Sequence, residues 1–78
     1  MRTEIKMPQM SQKTLQSVLA LWNKMPGETV RVGEVLCEIE TDKVVSEVES
    51  PVNGTVTQIF CEEGDEIAAG TVIAIVEN

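Results

Sequence analysis

Gly27-Glu28-Thr29-Val30-Arg31-Val32-Gly33-Glu34-Val35-Leu36-Cys37-Glu38-Ile39-Glu40 decides the fold, because the chain writes this stretch twice. Thirty-seven positions later, Gly64-Asp65-Glu66-Ile67-Ala68-Ala69-Gly70-Thr71-Val72-Ile73-Ala74-Ile75-Val76-Glu77 follows the same plan. Gly27/Gly64, Gly33/Gly70, Val35/Val72 and Glu40/Glu77 are identical. Glu28/Asp65, Val30/Ile67, Leu36/Ile73 and Ile39/Val76 are conservative replacements. Each copy reads as a glycine beside an acid, a short strand, a second glycine and a longer strand. Glycine suits both turns, since without a Cβ it enters positive φ at little cost. Two copies are too few for a solenoid, which needs at least three units to cover its core. Two intertwined halves about a pseudo-two-fold axis fit the repeat instead.

Outward from the repeat, further strands are expected over 3–7, 18–22, 44–49 and 55–60. Ser50-Pro51-Val52-Asn53-Gly54 is a turn signal ending in Asn-Gly. Eleven valines among 78 residues favour strands, because β-branched side chains suit a pleated, half-buried surface. One segment conflicts: Leu15, Val18, Leu19 and Trp22 match the helical i, i+3, i+4, i+7 template. The repeat settles it for strand, since the equivalent Thr55-Val56-Thr57-Gln58-Ile59-Phe60 is β-rich. About eight short strands with frequent turns predict an all-β sandwich or flattened barrel. Its core is expected to hold Trp22, Val30, Val35, Ile39, Val56, Ile59, Ile67, Val72 and Ile75, with Met7 and Met10 filling gaps.

The length predicts one domain spanning 1–78. A chain this short buries only about 60% of its unfolded surface, so a deep catalytic cleft is not expected. The net charge of −7 disfavours nucleic acid and anionic membrane surfaces as partners. No apolar run is long enough to span a membrane. With two cysteines and no histidine, a zinc site lacks its ligands. Cys37 and Cys61 could pair in an oxidising compartment, but no secretion signal is present and free thiols are expected. Without histidine there is no Ser or Cys triad, and no phosphate-cradling loop occurs. The chain is therefore read as a non-catalytic module.

The segment that stands out is Glu38-Ile39-Glu40-Thr41-Asp42-Lys43-Val44-Val45. Strand-like runs flank Thr41-Asp42-Lys43, and Thr and Asp favour a turn by bonding nearby amides. Lys43 is then expected at the tip of a hairpin; Lys6, Lys13 and Lys24 lack such flanks. A solvated turn lysine is the bland alternative. A Schiff-base lysine would need a desolvated amine, whereas Asp42 favours the charged form. Acylation of Lys43 would thus need a separate enzyme.

Glu40-Thr41-Asp42-Lys43-Val44 resembles the lipoyl-attachment motif of the lipoyl domains of 2-oxo acid dehydrogenase complexes, within the biotinyl/lipoyl-attachment domain family. The resemblance runs along the whole chain, through Met7-Pro8-Gln9-Met10, Trp22, Gly27-Glu28-Thr29-Val30, Gly33, Glu47-Val48-Glu49-Ser50-Pro51-Val52-Asn53-Gly54 and Glu63-Gly64-Asp65. It implies a flattened barrel of two four-stranded antiparallel sheets with quasi-two-fold symmetry. It also implies lipoic acid amide-linked to Lys43, on a hairpin at the opposite end from both termini. Glu40, Asp42, Val44, Gly27 and Gly54 would help the attaching enzyme choose its lysine.

The implied role is a swinging-arm carrier of acyl groups and electrons. Its partners would be a lipoate ligase or lipoyl transferase, a thiamine-dependent decarboxylase, an acyltransferase core and a dihydrolipoyl dehydrogenase. The setting would be the cytoplasm of a bacterium or the mitochondrial matrix of a eukaryote. The isolated domain is expected to be a monomer and an N-terminal piece of a longer protein, an acyltransferase chain or another subunit. Between residues 38 and 49 five acids face one base, so loss of the Lys43 charge would move the local sum from −4 to −5. Ser11-Gln12-Lys13, Ser17 and Pro26 depart from the family's usual residues. By the resemblance, the first of these would lie in a loop beside the lipoyl-lysine turn that the family uses to recognise its decarboxylase. The nearest rival is a biotin carboxyl carrier domain, but that family usually has Met on both sides of its lysine, where Asp42 and Val44 stand here. A glycine-cleavage H protein is normally longer, and an unmodified β-sandwich interaction module is the rival from another class.

Overall fold

A computed structural model describes residues 1–8, 16–41 and 44–78. Eight strands follow in order: β1 (Arg2–Lys6), β2 (Gln16–Trp22), β3 (Thr29–Val30), β4 (Val35–Glu40), β5 (Val45–Glu49), β6 (Gly54–Ile59), β7 (Glu66–Ala68) and β8 (Val72–Glu77). They form two antiparallel four-stranded sheets, ordered β1-β8-β6-β3 and β5-β4-β2-β7. Exchanging β1–β4 with β5–β8 turns the first order into the second. The 37-residue repeat is therefore a true pseudo-two-fold, and each sheet draws two strands from each half. Neither half can close its own core, because most strand pairings join one half to the other.

Individual contacts repeat the symmetry. The Gly27 N–H donates to the Val56 carbonyl at 2.7 Å, and the Gly64 N–H to the Leu19 carbonyl at 2.7 Å. β2 is bulged between Leu19 and Leu21 against β4, and β6 between Val56 and Gln58 against β8. In the first strand of each half the offset changes. Met7 N donates to Thr71 O as Ser50 N donates to Glu34 O, and Met7 and Ser50 stand 43 positions apart rather than 37. The first half thus carries six more residues between β1 and β2, in the connection that contains residues 9–15, outside the described residues. Leu15, Met10 and Ser11-Gln12-Lys13 fall there too.

The four repeat glycines do what the sequence requires of them, with φ of +96° at Gly27, +89° at Gly33, +95° at Gly64 and +87° at Gly70. Gly54 differs. It has no positive φ, and it opens β6 rather than closing an Asn-Gly turn. A Cβ there would stand 2.5 Å from the Glu77 carbonyl oxygen and 2.9 Å from Val76 Cγ1. Asn53 uses its side chain instead, accepting the Val32 N–H at Oδ1 over 2.8 Å.

The core lies between the sheets. Ile5, Val30, Val56, Ile73, Ala74 and Val76 of one sheet meet Leu19, Leu36, Cys37, Ile39, Val48 and Ile67 of the other, with Met7 and Cys61 at the margins. Four expected core residues need correction. Trp22 and Ile59 are only partly buried against the cluster, and Val35 and Val72 are half-exposed. Ile75 is buried but stands outside the cluster, opposite Glu4 and Gln58. The bulges explain the misses. In β4 the register slips between Val35 and Cys37, so the consecutive Leu36 and Cys37 are both buried and strict alternation fails. In β2 the buried Ser17 and Leu19 alternate as a strand requires, and past the bulge between Leu19 and Leu21 the next inward side chain is the partly buried Trp22. Cys37 and Cys61 are free thiols.

Candidate functional site

The β4–β5 hairpin is the candidate site. Ile39 is fully buried and pins β4 to the core, while its neighbour Glu40 is exposed. Across the ladder Ile39 faces Ser46 and Glu40 faces Val45. Beyond that pair the Thr41 N–H donates to the Val44 carbonyl over 2.9 Å, and the Thr41 hydroxyl approaches the same oxygen at 3.4 Å. The ladder therefore closes from Thr41 to Val44. Asp42 and Lys43, the two residues between them in the chain, lie outside the described residues. Val44 and Val45 are 52% and 57% exposed.

The far end of the same two strands locates the hairpin in the molecule. Ser50 N donates to Glu34 O, and Val32 is tied to Asn53 beside Gly54, which packs on Glu77. The chain ends lie there: Arg2 pairs with Glu77, and Asn78 N donates to Met1 O at 3.0 Å. Six residues of strand, about 20 Å, separate that end from Thr41. Under the pseudo-two-fold, Thr41 maps onto Asn78 and Val44 onto Met1. The hairpin is thus the symmetry mate of the paired termini, as the opposite-end expectation requires.

The outer surface of β4 and β5 is acidic. Glu38 and Glu47 are direct cross-strand partners, an arrangement that costs stability because like charges face each other. In the other half the equivalent pair is Ile75 and Glu4, with no such repulsion. The fold itself therefore does not demand the acidic pair. Among the described residues the one ion pair is Lys24–Glu34 at 3.6 Å, so neither acid is neutralised by a described cation. Sequence reasoning counted these acids but could not see that two of them stand opposite each other. That depends on the register.

Gly27 and Gly54 have structural work elsewhere. Gly27 turns the chain between β2 and β3, and Gly54 lets β6 approach Glu77 near the chain ends. Trp22 is held by its indole N–H donating to the Cys61 carbonyl at 2.8 Å and its backbone N–H donating to Glu63 Oε2 at 3.1 Å. Burial, then the neighbouring Cys61, pushes the Cys37 thiol up to about 12. Burial, then Asp65, also raises Cys61. Among the described residues no group of three or more His, Cys, Asp or Glu could hold a metal ion. No helix among them is long and apolar enough to cross a membrane.

The family described as "Biotin-requiring enzyme" matches residues 3–76. A pyruvate dehydrogenase complex dihydrolipoyllysine-residue acetyltransferase component of Corynebacterium glutamicum is 40% identical over 72 residues, covering 92% of this chain and 11% of the relative. A 2-oxoglutarate dehydrogenase complex dihydrolipoyllysine-residue succinyltransferase component of Cupriavidus necator is 40% identical over 75 residues, covering 96% of this chain and 18% of the relative. The chain therefore spans less than a fifth of either relative. The solution structure of the lipoyl domain of the Azotobacter vinelandii 2-oxoglutarate dehydrogenase complex superposes with a TM-score of 0.80 at 35% identity, covering 96% of this chain and 95% of that one.

Proposed function

From the premise that this chain belongs to the biotinyl/lipoyl-attachment domain family and resembles its lipoyl domains, we propose that it is a lipoyl carrier with lipoate amide-linked to Lys43. The observation that carries the reading is the closure of β4 onto β5 from Thr41 to Val44, at the end of the barrel away from the chain ends. An attachment site must be open to another enzyme, and the exposed Glu40, Val44 and Val45 meet that need. When attached, lipoate supplies a dithiolane that takes up and hands on acyl groups and electrons, chemistry that belongs to the cofactor.

The chain's own residues supply position and surface. The buried Ile39 and the Thr41–Val44 bond hold the two strand ends at a fixed spacing, so a side chain carried between them starts from a rigid base. Val44 and Val45 offer an apolar patch, and Glu38, Glu40 and Glu47 an acidic one, to the attaching enzyme and to a decarboxylase. Glu40, Asp42 and Val44 mark the lysine. Gly27 and Gly54 contribute through the frame. Tethering to one rigid module raises the effective concentration of the carried group at each partner site, namely the decarboxylase, the acyltransferase core and a dihydrolipoyl dehydrogenase.

Mass spectrometry after co-expression with a lipoate ligase tests the reading. We expect a lipoyl increment on the intact chain and none on Lys43→Ala. A biotin increment, no increment, or a lipoyl increment that survives Lys43→Ala would overturn it.

A further inference from the structure

A shallow groove of about 330 Å³ lies where β1, an edge strand of one sheet, runs beside β5, an edge strand of the other. It sits on the pseudo-two-fold: its lining falls into four symmetry pairs, Glu4/Glu47, Ile5/Val48, Lys6/Glu49 and Pro8/Pro51. The buried Ile5 and Val48 form an apolar floor. Among the described residues each strand is hydrogen-bonded along one side only, β1 to β8 and β5 to β4, which leaves each a backbone edge without a described partner beside the groove. The walls hold three carboxylates and one ammonium, and none of these joins the one ion pair found among the described residues. Edge strands often carry charges simply to repel stray strands. That purpose does not by itself require an apolar floor or a wall of one sign, and the β5 wall, Glu47 and Glu49, is wholly acidic.

We propose that this groove docks a short, extended, basic peptide segment of a partner protein, which adds as a strand along the free edge of β5. Strand addition draws affinity from main-chain hydrogen bonds and specificity from alternate side chains. Here one set of side chains would rest on Ile5 and Val48 while lysines or arginines meet Glu4, Glu47 and Glu49. β5 is chosen over β1 because Lys6 and Arg2 on β1 repel a basic segment. A second copy of the chain is disfavoured by its net charge of −7. Pro8 and Pro51 flank the groove and keep the docked segment short. The site does not depend on the carrier reading, since it uses neither Lys43 nor any attached group.

The test is amide chemical-shift mapping of the unmodified domain, titrated at low salt with an acetylated, amidated Lys-Val-Lys-Val-Lys-Val peptide. Saturable shifts centred on residues 4–6 and 47–49 are expected. Glu4→Gln with Glu49→Gln, both surface changes, is expected to weaken binding by about tenfold. N-methylating alternate peptide amides, which leaves every charge in place, is expected to weaken it by about tenfold or more. The proposal is overturned if shifts centre on Glu38 and Glu40 instead, if no saturable shift occurs, or if the N-methylated peptide binds as well as its parent.

Discussion

At one end of the molecule the Thr41 N–H donates to Val44 across the β4–β5 hairpin; at the other, Asn78 donates to Met1 across the paired chain ends. The two are symmetry mates, reached by strands of the same length with the same bulges. Their surroundings differ. Around the hairpin, Glu38 faces Glu47, a feature that lowers stability and has no counterpart required by the fold. Around the termini, Ile75 takes the place of Glu38, and Gly54 admits a close strand approach. One architecture thus serves stability at one end and, on our reading, recognition at the other. Local rules are broken where a partner is expected to bind.

The largest effect should come from Gly54→Ala. Its new methyl group meets the Glu77 carbonyl and Val76, and should cost about 2–3 kcal/mol in urea unfolding. Lipoylation of the molecules that remain folded should be unchanged. Unchanged stability with lost modification would break the comparison, making Gly54 a recognition residue after all.

Between the two ends lies Cys37, whose thiol is pushed up to about 12 in the folded state from an ordinary 9.0. The folded state holds this proton more tightly, so its contribution is complete below pH 9 and drains away as pH climbs toward 12. Urea midpoints should therefore fall with rising alkalinity, and Cys37→Ala, though less stable at neutral pH, should flatten that slope. Parallel slopes for the two proteins would rule the thiol out as the cause.

Neutralising the acidic face should separate recognition from folding. In lipoylated protein, Glu38→Gln with Glu40→Gln should slow reductive acylation by the decarboxylase severalfold at low salt, while unfolding shows only the gain of about 0.2–1 kcal/mol that relief of the Glu38–Glu47 pair gives. Equal acylation rates would remove the acidic face from the recognition account. The smallest effect is also the sharpest. Glu47→Gln relieves a facing carboxylate and should stabilise by about 0.2–1 kcal/mol at low salt, fading as salt rises. Its symmetry mate Glu4→Gln faces Ile75 and should show no such gain. Equal responses would mean that the two ends are electrostatically alike.

Much of this was legible in the chain. The positive-φ positions followed from glycine spacing, the all-β class from the valines and the repeat, and the hairpin from Thr41-Asp42-Lys43 between two strands. The core was read less well. Val35 and Val72 were expected inside, whereas Leu36, Cys37, Ile73 and Ala74 fill that space, because a bulge shifts side chains from one face to the other and leaves no clear mark in a short window. Asn53-Gly54 read as a turn, yet Gly54 is a packing glycine whose constraint comes from Glu77, a residue far away in the sequence.

The sequence by itself determined the turns, the strand content, the two-fold plan and the motif around Lys43. These rest on local sterics and on a pattern written along the chain. Tertiary structure alone decided which strands of the two halves pair, that Glu38 stands against Glu47, and that the edges of β1 and β5 share a groove. Those are choices of partner and register. They are set when both halves bury their apolar faces together, a term that no short stretch of residues contains.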